Sequence, residues 1–123
     1  MLKSLLFVFL GGGLGAVVRF LIAKFSIQLF ESNLPIGTLV SNIIASLLLG
    51  VLVYQFNLRL DATQKTLYLF LIIGFCGGLS TFSTFSIETF ELLKQGNFTI
   101  AILNVVISVG AGVGALAILF KQQ

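Results

Sequence analysis

Gly74-Phe75-Cys76-Gly77-Gly78-Leu79-Ser80-Thr81-Phe82-Ser83-Thr84-Phe85-Ser86-Ile87-Glu88 is the stretch on which the reading of this chain turns. It lies inside an apolar segment running from about Lys65 to Leu93. A helix needs about 20 apolar residues to cross a bilayer, and this segment is long enough. Its middle, however, is unlike a lipid-facing helix. Gly77 and Gly78 weaken helix where it should be strongest. Five hydroxyls follow within seven residues: Ser80, Thr81, Ser83, Thr84 and Ser86. Broken helices at membrane depth are tolerated where the freed backbone lines a cavity or binds an ion. The stretch therefore predicts a third membrane helix broken near its middle.

The rest of the chain supplies the setting. Of 123 residues, 58% are hydrophobic and 9% are charged. A soluble domain carries about 25% charged residues, so a soluble enzyme or a disordered tail is excluded. Continuous apolar runs, rather than alternation, exclude a β-barrel. The spans read as Leu5 to Phe30, Ile36 to Phe56, Lys65 to Leu93 and Phe98 to Phe120. Glu31-Ser32-Asn33-Leu34-Pro35, Asn57 to Gln64, and Lys94-Gln95-Gly96-Asn97 connect them, with Pro35 suited to the start of the second helix. Lys3 before an apolar run resembles a signal peptide, but the run's length and the three later spans favour an uncleaved helix. The expectation is an all-α membrane protein, one four-helix transmembrane domain over residues 1–123.

Composition also removes chemistry. With no His there is no imidazole zinc site, catalytic triad or proton shuttle. The one cysteine, Cys76, cannot form an intrachain disulfide and reads as a small buried hydrophobe. The formal charge is +3, but the basic residues are scattered, which excludes a nucleic-acid partner.

Charge is also weakly biased across the membrane. Lys3, Arg59, Lys65 and Lys121 fall on one side. Lys24 and Lys94 fall on the other, with Arg19 near that interface. Orientation needs a clear excess of basic residues on one side. The expectation is insertion in both directions and an antiparallel, dual-topology homodimer in membrane lipid. Gly11 and Gly15, Gly74 and Gly78, and Gly110 and Gly114 are each expected to bring two helix backbones close.

Polar groups within spans are costly and carry a default functional hypothesis. Thr38, Asn42, Ser46 and Gly50 recur every four residues and form one stripe on the second helix. Asn104 and Ser108 form another on the fourth. Such stripes suit interhelical bonding or a wet pathway, and spacing alone leaves both open. Phe82 and Phe85 are three apart and share a face. Core packing accounts for most such pairs, but hydroxyls and a helix break beside them suggest more. An aromatic ring has a positive edge that can touch a small anion, and an amide and hydroxyls add donors. Such a set binds an anion strongly enough to enter and weakly enough to leave.

Three motifs resemble the Fluc (CrcB-type) fluoride channels. They are Gly12-Gly13-Leu14-Gly15-Ala16-Val17-Val18-Arg19-Phe20, Gly37-Thr38-Leu39-Val40-Ser41-Asn42, and the quoted stretch from Gly74 to Glu88. The resemblance covers essentially the whole chain in length, span count and motif order. It implies an antiparallel homodimer in the inner (plasma) membrane that exports fluoride passively through two pores and protects microbes from it. It maps the pore onto Phe82, Phe85, Asn42, Ser83, Thr84, Ser108 and Asn104. It maps an anion-attracting vestibule onto Arg19 and a polar track onto Thr38 and Glu88, with Thr84 beside them. It also implies a structural sodium ion at the dimer axis, held by the backbone carbonyls of Gly77 and Ser80. The chain departs from the family's usual pattern at Ser80 (commonly Thr), at Ala45 (commonly Gly) and at Asn104, where an aromatic hydroxyl is common.

A small multidrug-type dual-topology transporter is the main alternative. It needs a carboxylate within the first helix, and this chain has Arg19 there and no acid before Glu31. A purely structural subunit would explain the glycine pairs but not the broken third helix. An enzyme is excluded by the want of any nucleophile and base pairing without His.

Overall fold

A computed structural model describes residues 1–30, 34–56 and 62–121. The connections expected at Glu31-Ser32-Asn33 and around Arg59-Leu60-Asp61 lie outside the described residues. The described chain is all helical. Helix α1 spans Leu2–Phe30 and α2 spans Ile36–Phe56. The third span is composite: α3 Ala62–Tyr68, a π-helical segment Leu69–Cys76, α4 Gly77–Leu79 and, after a break, α5 Phe82–Lys94. Helix α6 spans Phe98–Phe120. Four stretches are long and apolar enough to cross a membrane: Leu2–Phe30, Ile36–Phe56, Gln64–Lys94 and Phe98–Phe120.

Local chemistry sets these boundaries. Pro35 precedes α2 and its carbonyl accepts from the Leu39 N–H at 3.0 Å, so the helix opens immediately after the ring. Gly96 has φ +79°, a left-handed conformation that glycine adopts without steric cost, and it turns the chain between α5 and α6.

The third span is broken near its middle, within the expected stretch Cys76 to Thr81, but not at the glycines. Gly77 and Gly78 remain helical, and the extended residues are Ser80 (φ −80°, ψ 154°) and Thr81 (φ −152°, ψ 116°). Both the N–H and Oγ of Ser80 donate to the Cys76 carbonyl at 3.0 Å, which closes α4. Thr81 then caps α5, its Oγ1 accepting from the Thr84 N–H at 3.2 Å. Hydroxyl side chains that satisfy backbone groups outside the helical ladder place the break, rather than glycine flexibility.

The glycines instead serve packing. A Cβ on Gly11 would meet the Phe70 carbonyl oxygen, and one on Gly15 would meet that of Phe75. A Cβ on Gly78 would meet the carbonyl oxygen of Gly12. Bare backbone lets α1 lie directly on the π segment and α4, as small residues do in lipid. The pair Gly110 and Gly114 behaves otherwise: nothing within 4 Å would meet a Cβ at either. Among the described residues, that pair meets no neighbouring helix.

Few of the described side chains are withdrawn from the surface of the single chain. Leu79 and Ser41 are fully buried where α2 and α4 meet the interior, while Phe9, Phe20 and Ile118 are largely exposed. Apolar side chains turned outward match a surrounding that is itself apolar.

Candidate functional site at the helix break

Asn42 on α2 lies opposite the break. Its Oδ1 accepts from the Thr81 N–H at 2.8 Å, and its Nδ2 donates to the Thr81 carbonyl at 3.3 Å. The amide thus gives the Thr81 N–H an acceptor outside the helical ladder and adds a donor to the Thr81 carbonyl. One N–H of the amide is left for another acceptor.

Around this pairing lies a cavity of about 260 Å³ lined by Asn42, Ser46, Ser80, Thr81, Phe82, Phe85, Ser108 and Val109. The Phe82 and Phe85 rings are 5.8 Å apart at a tilt of 38°. Phe82 is 79% exposed in the single chain. The Ser108 Oγ is buried with no hydrogen-bond partner among the described residues. A spare hydroxyl, a spare amide N–H and tilted rings, with no charged side chain in the lining, make a neutral pocket rich in weak donors. Such a pocket can replace part of a small anion's water shell without a fixed charge to trap it.

The other expected residues divide into three groups. Ser83 and Thr84 gather on the Thr81 hydroxyl, at 3.2 and 3.1 Å. Thr84 therefore belongs to the cap of α5, not to a group with Glu88. Thr38 and Glu88 do meet: the Thr38 hydroxyl donates to Glu88 Oε1 at 2.8 Å. They line a cavity of about 390 Å³ with Gly37, Glu91 and Gln95, and Glu88 Oε2 is buried there with no partner among the described residues. Gly77 and Ser80 line a third cavity of about 220 Å³ with Ala45, Ser46, Leu49, Ile72 and Cys76.

Asn104 stands apart from the phenylalanine cavity. It is buried, and its Nδ2 donates to Thr89 Oγ1 at 3.0 Å; that hydroxyl in turn donates to the Phe85 carbonyl at 2.7 Å. Asn104 joins α6 to α5 one turn beyond Phe85. The two residues of the α6 stripe therefore divide: Asn104 bonds between helices, and Ser108 faces the cavity. Arg19 reaches the end of α4 before the break, its Nε donating to the Gly78 carbonyl at 3.1 Å.

Sequence reasoning missed Thr89 as the partner of Asn104 and the Thr81 peptide as that of Asn42. The signal for Thr81 was present. A Thr directly before an amphipathic run marks a helix N-terminus.

Four apolar helices, one of them opened at mid-length beside a neutral donor-lined cavity, define a small multi-pass membrane protein. The chain belongs to the CrcB family, described as CrcB-like protein, Camphor Resistance (CrcB), whose profile matches residues 6–120. It is 44% identical over 110 residues to a protein of Citrifermentans bemidjiense, covering 89% of this chain and 88% of the relative. A relative from Clostridium perfringens is 44% identical over 105 residues, 85% of this chain and 81% of its own. One from Coxiella burnetii is 42% identical over 118 residues, 92% and 95% of the two chains. Each of these relatives is named fluoride-specific ion channel FluC.

Proposed function

We propose that this protein is a fluoride-selective channel of the inner (plasma) membrane that lets fluoride leave the cell passively. The observation that carries the reading is the neutral cavity at the helix break, where Phe82, Phe85, Asn42 and Ser108 converge. Fluoride is small and strongly hydrated. Ring edges, the free amide N–H and the Ser108 hydroxyl replace its water piecewise, and no lysine or arginine lines the cavity to hold it. Thr38 and Glu88 form a second polar station toward the other end of α5, 2.8 Å apart. Ser83 and Thr84 act through the Thr81 cap, which fixes the start of the helix carrying both rings. Asn104 acts as an interhelical tie beside the path.

The channel is an antiparallel homodimer with one pore on each side of the two-fold axis. Three features support this. Basic residues are nearly balanced between the two sides, Phe82 is mostly uncovered in the protomer, and Gly77 is an exposed glycine with open space where a Cβ would be. A glycine without a neighbour in its own chain suits the close approach of a second backbone.

The residues at this face fit a sodium ion. Gly77 and Ser80 offer backbone carbonyls, and the side chains lining their cavity are neutral, as suits a hard monovalent cation held by oxygen dipoles. Bound there, sodium would supply a fixed positive charge beside the carbonyls of Gly77 and Ser80. The chain's own part is to present the carbonyls: Ser80 closes α4 on Cys76, and Asn42 holds the next peptide.

Expression in a bacterial strain that cannot export fluoride tests the function. Growth in fluoride medium is restored if the reading holds, and an unrelieved growth defect at normal expression contradicts it.

A further inference from the structure

Arg19 lies within the first apolar span, where a charged side chain is costly unless it finds a partner. Its partner is the carbonyl of Gly78, at 3.1 Å from Nε. That carbonyl belongs to the last turn of α4, where the break removes the ordinary helical acceptor role of the final carbonyls. The N–H of Thr81 is committed to Asn42 and that of Ser80 to Cys76. The contact is made possible by the glycine face of α1. A Cβ on Gly78 would strike Gly12, and one on Gly15 would come within 2.8 Å of the Leu79 nitrogen, so the two backbones touch one turn before Arg19.

We propose that Arg19 is a positioning residue that ties α1 to the broken end of α4, and that the hydrogen bond from Nε, not the positive charge, is what fluoride conduction requires of it. The guanidinium seals the Gly78 carbonyl from α1 while the Asn42 amide seals the Thr81 carbonyl from α2. The two ties bracket Ser80 from opposite sides and hold the break in one geometry. This rests on the fluoride-channel reading and replaces an anion-attracting role for Arg19 with a backbone-holding one.

Two variants separate the donor from the charge. Arg19→Gln keeps an N–H donor the same number of bonds from Cα as Nε and removes the charge. Arg19→Lys keeps the charge, with its ammonium one bond further out and no donor at the Nε position. Fluoride efflux from liposomes, at low and high ionic strength, is measured with hydrogen exchange at residues 77–84. Arg19→Gln is expected to keep at least about half of the parent rate, with the parent's salt dependence, and parent-like exchange. Arg19→Lys is expected to lose about tenfold in rate, the scale of one unmade buried hydrogen bond, and to exchange faster across the break. The opposite ranking, with the Arg19→Gln loss deepest at low salt, overturns the proposal in favour of anion attraction. Equal behaviour of the two variants also overturns it. A parent chain that does not conduct fluoride refutes the channel reading, and the exchange ranking then still decides the tie.

Discussion

Asn42 and Thr81 face each other across two helices as an amide pairs with a peptide, with Oδ1 accepting at 2.8 Å and Nδ2 donating at 3.3 Å. The pairing explains how a membrane helix stays open at mid-length. Backbone groups that cannot reach water need partners within the protein, and one side chain supplies both. Asn42→Ala leaves the Thr81 N–H without its acceptor and removes one donor from the Thr81 carbonyl, a cost of about 1–3 kcal/mol for the unpaired N–H. We expect fluoride flux to fall about tenfold or more, the rate equivalent of at least 1.4 kcal/mol. The Thr81 amide is expected to exchange faster in deuterated buffer. Asn42→Asp retains the acceptor, so its Thr81 amide stays protected although flux is lost. Parent-like exchange in Asn42→Ala would remove the pairing from the account.

The tilted pair Phe82 and Phe85 gives a second expectation. Replacing either ring by isoleucine keeps an apolar side chain but removes the positive ring edge. Phe82→Ile and Phe85→Ile are each expected to slow efflux while the oligomer elutes unchanged by size-exclusion chromatography. Undiminished flux in both variants contradicts a role for ring edges.

Thr38 donates to Glu88 at 2.8 Å, and Glu88 Oε2 has no partner among the described residues. Thr38→Val preserves shape and removes the only donor shown to Glu88, whereas Thr38→Ser preserves it. Flux is expected to drop several-fold in Thr38→Val, on the scale of about 1 kcal/mol for a hydrogen bond, and to survive in Thr38→Ser. Equal rates in the two would detach this pair from the pathway.

The glycines make a graded prediction about assembly. Gly78→Ala drives a methyl group into the Gly12 backbone and should destabilise the protomer by about 1–3 kcal/mol, as overpacking does. Gly77→Ala meets nothing among the described residues, so it should spare the single chain's fold and weaken only the proposed dimer. Gly110→Ala also meets nothing and should leave both intact. Thermal unfolding and cross-linking in detergent distinguish these outcomes. A fully dimeric Gly77→Ala protein would place the subunit interface elsewhere.

Much of this was legible in the sequence because bilayer physics is coarse. Apolar run length gives the spans, and the second and fourth coincide with α2 and α6. The two glycines announced an interruption, which falls just after them at Ser80 and Thr81, and the four-residue polar stripe brought Asn42 and Ser46 to one cavity. What was hidden depends on tertiary register. The π segment Leu69–Cys76 has no residue period that announces it. Gly77 and Gly78 read as helix weakeners, yet both remain helical, and the surroundings of Gly78 explain why it is small. Gly110 and Gly114 match the same spacing rule as Gly11 and Gly15 but meet no helix among the described residues. A lone arginine in an apolar span announces cost, not its partner, so Gly78 became visible only with the backbone in place.

The most direct test of the central claim is ion efflux from liposomes containing the purified protein, followed with fluoride and chloride electrodes. The account predicts rapid fluoride release driven by its own gradient, with no comparable chloride release. Absence of fluoride release, or chloride release at an equal rate, would contradict it.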